Sequence, residues 1–427
     1  MSPPANRRYI TADIPGLGGT IKQRPEDFLV DEQPLYAPAG SGEHIYLLIQ
    51  KRGLSTLDMI EVIAQHFRVQ RRDVGVAGLK DKQAITRQVV SVHTPGKTAA
   101  DFPFLEHDRI AVLWSDQHTN KLRRGHLRGN RFSIKVRGVS PAGVVTARRV
   151  LTRLAAHGLP NRVGTQRFGM LGNNHRIGAS LVAGDFRAAC DLLLGPCETV
   201  PHVNPSGRAE YAAGRFEAAR RTYPRNARAE VRVLSRLIEG ADHRAAMLSV
   251  DAQTLGFFLS AFQAAVFNLV LETRLAGIGI TTLIEGDVVM KRENRACFAV
   301  TAEVLNDPAT RVRLDGFEIS ATGPLWGVGM MRAHGVTDEA ELAALAALGA
   351  DPQRLIAWNT IRPGLLEGQR RPLRVPVVDP EVEGGVDEHG AYVRCAFELP
   401  RGSFATEVIE EITKTGAAGP ALPDDED

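Results

Sequence analysis

The chain changes texture twice, and this constrains its fold more than any other feature of the sequence. Up to about Gly184 it reads mainly as extended pieces with a few helices between them. From about Asp185 helical spacing takes over, in Phe186 to Leu194, Arg208 to Arg221, Arg228 to Ile238 and Leu255 to Leu275. The last of these carries a broad apolar stripe of Leu255, Phe258, Leu259, Phe262, Val266, Leu269 and Val270, which reads as core. Strand-like pieces return at Leu373 to Val378 and Tyr392 to Leu399. A chain of 427 residues is too long for one ordinary core, so two domains are expected.

Within the first region, Arg24 to Asp27 reads as a turn leading into an extended Phe28-Leu29-Val30. His44 to Ile49 is rich in β-formers and suits a buried strand. Ser55 or Thr56 can cap a helix whose Leu57, Ile60, Ile63, Ala64 and Phe67 share a face. Arg131 to Arg137 alternates strictly, with Phe132, Ile134 and Val136 inward and Arg131, Lys135 and Arg137 on the other face. That face suits a phosphate track or plain solvent. A helix is expected over Ala142 to Ala156, with Pro141 in its first turn. Thr322 to Gly327 reads as a glycine-rich turn, Thr337 to Leu348 as a helix, and a final helix runs to Ile412. Residues Thr415 to Asp427 are expected to be disordered.

Charge says more by its placement than by its sum. The net value is only +3, but Lys121 to Gly184 holds thirteen Lys or Arg and no Asp or Glu. A run of one sign calls for an anionic partner, and phosphate backbone is the natural one. Four scattered cysteines without a Cys-x-x-Cys argue against a zinc site or disulfide framework and fit a reducing cytoplasm. Twelve dispersed histidines give no metal-ligand spacing, so neither metal nor cofactor is expected. The longest apolar runs fall short of a bilayer span, no signal-like segment opens the chain, and no membrane association is expected. No nucleotide-binding glycine motif is present either.

Three stretches carry chemistry. In Val76 to Gln88 one carboxylate, Asp81, stands between Lys80 and Lys82, after Gly78 and before a strand-like run, with Arg87 six residues on. Nearby cations favour the ionised form of a carboxylate, and an ionised Asp in a cleft suits a nucleophile or general base. An isolated Lys-Asp-Lys is more often a solvated turn, so the rest of the chain decides. Lys121 to Asn130, with Arg123, Arg124, His126 and Arg128 among its glycines, reads as a loop that can approach another chain closely. Leu159 to Gly169 offers Asn161, Gln166 and Arg167 beside an exposed-looking Phe168, a set suited to holding a base by stacking and edge hydrogen bonds.

Together these stretches resemble the TruD family of tRNA pseudouridine synthases. The matching pieces are Lys22 with Pro25 to Phe28; Gly78 to Lys82; Lys121 to Arg123 with Gly125 to Leu127 and Gly129-Asn130; and Asn161 with Gly164 and Gln166 to Gly169. Ala261 to Gln263 with Phe267-Asn268, Thr322 to Leu325, and Phe397 to Gly402 complete the set in the family's order. The resemblance implies isomerisation of a uridine in tRNA, at position 13, without metal or cofactor. It implies an α+β fold: a pseudouridine synthase-like mixed sheet flanked by helices, with a large inserted α/β domain. The expected catalytic domain is 1–184 with 370–427, and the expected insertion is 185–369. Asp81 matches the catalytic aspartate by position. Lys22 and Asn161 match positions near the active site, while Gln166, Arg167 and Phe168 match a pocket-shaping loop. With Arg123, Arg124, His126 and Arg128 these make the expected substrate-binding set.

One position departs from the family. At Val163 an aromatic residue is usual, and valine lacks the π face whose stacking on a base contributes ~1–3 kcal/mol. Either Phe168, another aromatic or the guanidinium plane of Arg162 substitutes, or the flipped base is bound less tightly. The competing reading is a non-catalytic module that binds or folds RNA. A cytoplasmic monomer acting on tRNA is the expected setting, and the residues themselves leave the oligomeric state open.

Overall fold

Two parallel strands, Phe28–Pro34 and Ile85–His93, lie side by side with Leu29 opposite Ile85. They sit inside an eight-stranded sheet of the computed structural model, which describes residues 7–197 and 200–415. Along the sheet the order is Val378–Asp387, Gly390–Pro400, Leu127–Arg137, Phe28–Pro34, Ile85–His93, His44–Arg52 and Ile110–His118. Val74–Val76 pairs with the far end of Ile85–His93. Every pairing except the first is antiparallel. A parallel pair starts both strands at one edge, so the segments feeding them arrive together. Those segments carry Lys22 and Asp81.

Helices cover this sheet through two apolar clusters. Val150, Leu151, Leu154, Val408 and Ile412, from helices Val144–His157 and Ala405–Thr413, pack on Phe28, Val30, Phe132, Ile134, Val136 and Phe397. Met59, Ile63 and Phe67, from helix Thr56–Phe67, pack on Ile45, Leu47, Ile49, Val90 and Val92. Each such buried side chain contributes roughly 1.5–3 kcal/mol. Ser55 caps that helix by accepting from the Asp58 amide at 3.1 Å, and the apolar face holds Met59, with Ile60 packed at its margin and Leu57 off it.

The alternation of Arg131 to Arg137 holds, with Phe132, Ile134 and Val136 buried. Its cations, however, are already neutralised. Arg131 pairs with Glu381 at 2.6 Å and Glu398 at 3.4 Å, and Lys135 pairs with Asp387 at 2.7 Å. Arg137 is buried outright between Asp27 and Asp387, each at 2.6 Å. The reading of this strand as a phosphate track is therefore corrected: neighbouring strands, distant in sequence, supply the missing acids.

The second unit comprises residues 7–8 and Pro160–Arg374, and the first Tyr9–Leu159 with residues 375–415. The division falls at 159/160 and 374/375 rather than at the expected 184/185 and 369/370. Helix Asn174–Ala183 explains the earlier start: a Cβ at its Gly178 would stand 2.2 Å from the Phe258 carbonyl oxygen, so it lies directly against helix Ala252–Ala276. That helix is the spine of a core with Trp326, Trp358 and Leu345. It is also long and apolar enough by composition to cross a membrane, which the sequence reading of apolar runs overlooked; half of its most apolar window is buried in the fold.

An antiparallel sheet of Gln369–Pro372, Ile319–Leu325, Val288–Lys291 and Cys297–Ala299 completes this unit. Thr322 to Leu325 is thus strand, not turn. Gly323 leaves room there, since a Cβ would crowd the Phe267 ring at 3.0 Å. The helix expected over Arg208 to Arg221 is two, Pro205–Ala212 and Phe216–Thr222, broken where Gly214 takes a φ of +74°. The tail beyond Thr415, expected to be disordered, lies outside the described residues.

Candidate active site

Asp81 is held by its backbone before its side chain does anything. Lys51, fully buried on strand His44–Arg52, donates to the Asp81 carbonyl at 2.9 Å and to the Leu54 carbonyl at 2.6 Å. Thr56, in the first turn of its helix, accepts from the Lys80 amide at 2.9 Å. The Gln83 amide donates to Oδ1 of Asp81 at 2.9 Å, closing an Asx turn that sets the carboxylate's direction. Its Oδ2 accepts from the ammonium of Lys22. The Asp81 side chain remains 14% exposed, enough for a reacting atom to reach it.

Lys22 owes its position to a segment fixed at both ends. On one side Thr20 bridges Arg137 through two main-chain hydrogen bonds of 3.0 and 2.8 Å. On the other, buried Asp27 accepts a forked bond from the same arginine. Between them Lys22 adopts a φ of +58°, the left-handed region, which costs a non-glycine residue on the order of 1–3 kcal/mol. The bend carries its ammonium over Phe28, 4.9 Å from the ring centre, and onto Asp81.

The cations beside Asp81 in sequence behave differently. Lys80 is buried in a 2.6 Å ion pair with Glu32 and donates to Asn130 at 2.9 Å. Arg87 is exposed and bonded to Gln50 at 3.0 Å. The charge facing the carboxylate comes from Lys22, 59 positions away in sequence. Of the neighbours in sequence, Lys80 and Arg87 are turned to other partners.

The basic loop lies next to this site. The Gly125 amide donates to the Ala77 carbonyl at 2.7 Å, and Gly125 has a φ of +89°. Arg123, Arg124 and Arg128 are exposed, with no acidic partner among the described residues. His126 is half-buried, its Nδ1 2.9 Å from the Tyr36 hydroxyl. Of the thirteen cations between Lys121 and Gly184, these three arginines are left facing solvent beside Asp81.

The remaining expected residues lie on the second unit and form a group of their own. Asn161 is buried with its groups occupied: its Nδ2 donates to the Pro372 carbonyl at 2.9 Å and its Oδ1 accepts from Arg371 at 2.7 Å. Gln166 is exposed on the short 3-10 turn Thr165–Phe168. Arg167 lies over Phe257 at 5.4 Å and donates to Ser260 at 3.3 Å. Phe168 is not an exposed aromatic; it is buried edge-on against His175, ring centres 5.0 Å apart. Arg162 is committed to a 2.6 Å buried pair with Glu272, so its plane is not offered for stacking. Val163 is buried, with its amide and carbonyl both held by Asn268 at 2.9 Å. Sequence reasoning missed Lys51, Arg371 and the Lys80–Glu32–Asn130 chain, since nothing short-range marks a buried lysine.

Residues 5–412 match the family described as tRNA pseudouridine synthase D (TruD). The chain belongs to the TruD family. A Geobacter metallireducens relative named tRNA pseudouridine synthase D is 43% identical over 413 residues, covering 96% of this chain and 98% of its own. A Geobacter sulfurreducens relative of the same name is 42% identical over 414 residues, with the same coverage. The crystal structure of a Methanosarcina mazei protein assigned as TruD superposes with a TM-score of 0.81 at 27% identity, covering 96% of each chain. The mixed sheet with an inserted α/β unit is thus a TruD architecture.

Proposed function

We propose that this TruD chain converts uridine 13 of tRNA to pseudouridine, with Asp81 as the group that attacks or deprotonates the sugar. The reaction class follows from the family: it is a tRNA pseudouridine synthase, an isomerase. The N1–C1′ bond breaks, the uracil turns, a C5–C1′ bond forms, C5 loses a proton and N1 gains one. The change is an isomerisation without net redox.

One observation supports Asp81 above all. Its carboxylate is oriented by a main-chain amide, paired with the Lys22 ammonium, left reachable, and followed in space by a loop with three exposed arginines. Those arginines suit phosphate contacts that offset the few kcal/mol of unstacking a base. Lys22 meets only Oδ2 of the carboxylate, while Oδ1 takes the Gln83 amide. A module that only bound RNA would gain nothing from an acid placed beside phosphates.

We place the activity in the cytoplasm and on a monomer. Among the described residues the four cysteines form no disulfide, consistent with a reducing compartment. The test is release of tritium from C5-labelled uridine in a tRNA transcript, followed by mapping of the modified position. Release with modification at position 13 supports the reading. No release under single-turnover conditions overturns it.

A further inference from the structure

The second unit carries an arginine surface that the site around Asp81 does not use. Arg220 and Arg221 end the helix Phe216–Thr222, Arg225 stands in the following turn, and Arg228 and Arg232 lie on helix Arg228–Ile238. All five are exposed, and none has an acidic partner among the described residues. The turn is closed by main-chain bonds, Ala227 to the Pro224 carbonyl at 3.0 Å and Arg228 to the Asn226 carbonyl at 2.8 Å. The two helices are therefore held as one hairpin with Arg225 at its tip.

The density of unmatched arginines sets this hairpin apart. Five other arginines of the unit are matched to acids: Arg162 to Glu272, Arg274 to Asp287, Arg311 to Asp315, Arg332 to Asp338 and Arg370 to Glu341. From Phe216 to Ile238 the sequence holds six arginines and two acids, Glu217 and Glu230, and of the six only Arg236 is paired, with Glu239 just beyond. Arg228, Arg232 and Arg236 follow at i, i+4 spacing, opposite the buried Val233, Leu234 and Leu237. Like charges so spaced weaken a helix. On the neighbouring helix Arg208 is buried and, among the described residues, held by the carbonyls of Gly195 at 2.6 Å and Val203 at 3.0 Å with no acid beside it.

We infer that this hairpin is a second tRNA contact, binding backbone phosphates away from the reacting uridine. The inference rests on tRNA being the substrate. Guanidinium forks match phosphate oxygens, and successive arginines one helical turn apart present a row of such forks. Contacts of this kind add affinity and orientation without reading sequence.

The test replaces Arg221, Arg225, Arg228 and Arg232 with glutamine in the full chain, with a companion variant carrying lysine at all four. Affinity for an unmodified tRNA transcript is measured across a salt series. The glutamine variant is expected to bind at least tenfold more weakly at low salt, with a log–log salt slope shallower by about 2–3. KM should rise more than kcat falls, and the lysine variant should recover most of the binding. Affinity within twofold of wild type with an unchanged slope overturns the inference, as does a lysine variant no better than glutamine. Because affinity is read without turnover, a wild-type chain that binds tRNA but forms no pseudouridine would sink the functional reading alone.

Discussion

The ammonium of Lys51, with no exposure to solvent, donates to the main-chain carbonyl of Asp81 at 2.9 Å. A buried lysine is costly, and here it ties the reactive loop to the sheet. Removing it orphans carbonyls at Asp81 and Leu54, a cost of about 1–3 kcal/mol. Lys51→Met is expected to lower the unfolding midpoint and to slow single-turnover pseudouridine formation at least tenfold. Affinity for tRNA should stay within twofold. An undiminished rate would mean that the loop keeps its geometry without this bond.

Asp81→Asn keeps the shape of the side chain and removes its charge and basicity. Pseudouridine formation should vanish while tRNA binding persists. Residual turnover within about tenfold of wild type, a barrier change of only ~1.4 kcal/mol, would show that another group does the chemistry.

Arg123, Arg124 and Arg128 are exposed beside the Asp81 loop and unpaired among the described residues. Replacing all three with glutamine should weaken tRNA binding and reduce the salt slope by about 2–3. Replacing Arg131 and Lys135, which already face Glu381, Glu398 and Asp387, should change that slope far less. Equal effects from the two sets would contradict the assignment of the free cations to the loop.

How much of this was legible in the sequence depended on range. Phe132, Ile134 and Val136 announced their burial by alternation, and Ser55 announced its cap, because both signals lie within a few residues. Asp81 stood out through its motif. Its partner Lys22 was found as part of another motif, but their pairing was not, because it depends on a parallel strand pair that no local pattern encodes. The acid-free run from Lys121 to Gly184 looked like one basic surface. Folding brought Asp27, Asp387, Glu381 and Glu272 onto several of its cations, and only three-dimensional proximity decides that. Thr322 to Leu325 was misread for a related reason: Gly323 and Pro324 signal a turn locally, while the close approach of Phe267 favours the glycine in a strand.

Phe168 gives a further check on the second unit. Buried against His175, it serves packing rather than base stacking. Phe168→Ala should cost about 3–5 kcal/mol of stability. Phe168→Leu, which fills much of the same space, should keep tRNA affinity within twofold of wild type. A tenfold loss of affinity in the leucine variant, without loss of stability, would return the ring to the binding surface.

Asp387 is one group that links the stability of the fold to pH. Hydrogen bonds from Arg137 first, then Lys135, hold its carboxyl well below the ordinary value of 3.8. A carboxylate depressed in the folded state stabilises it at pH values where the unfolded chain is also ionised, and that stabilisation drains as pH falls toward the folded value. The stability gap between wild type and Asp387→Asn should therefore be constant above about pH 5 and close progressively below pH 3.8. Arg137 also clamps Asp27, which fixes the Lys22 segment, so Asp387→Asn should slow turnover modestly at neutral pH as that clamp loosens. Chemical denaturation from pH 7 to pH 2 reads the gap directly. A gap of constant size down to pH 2 would mean the Asp387 charge adds nothing, leaving Asp27 alone to anchor Arg137.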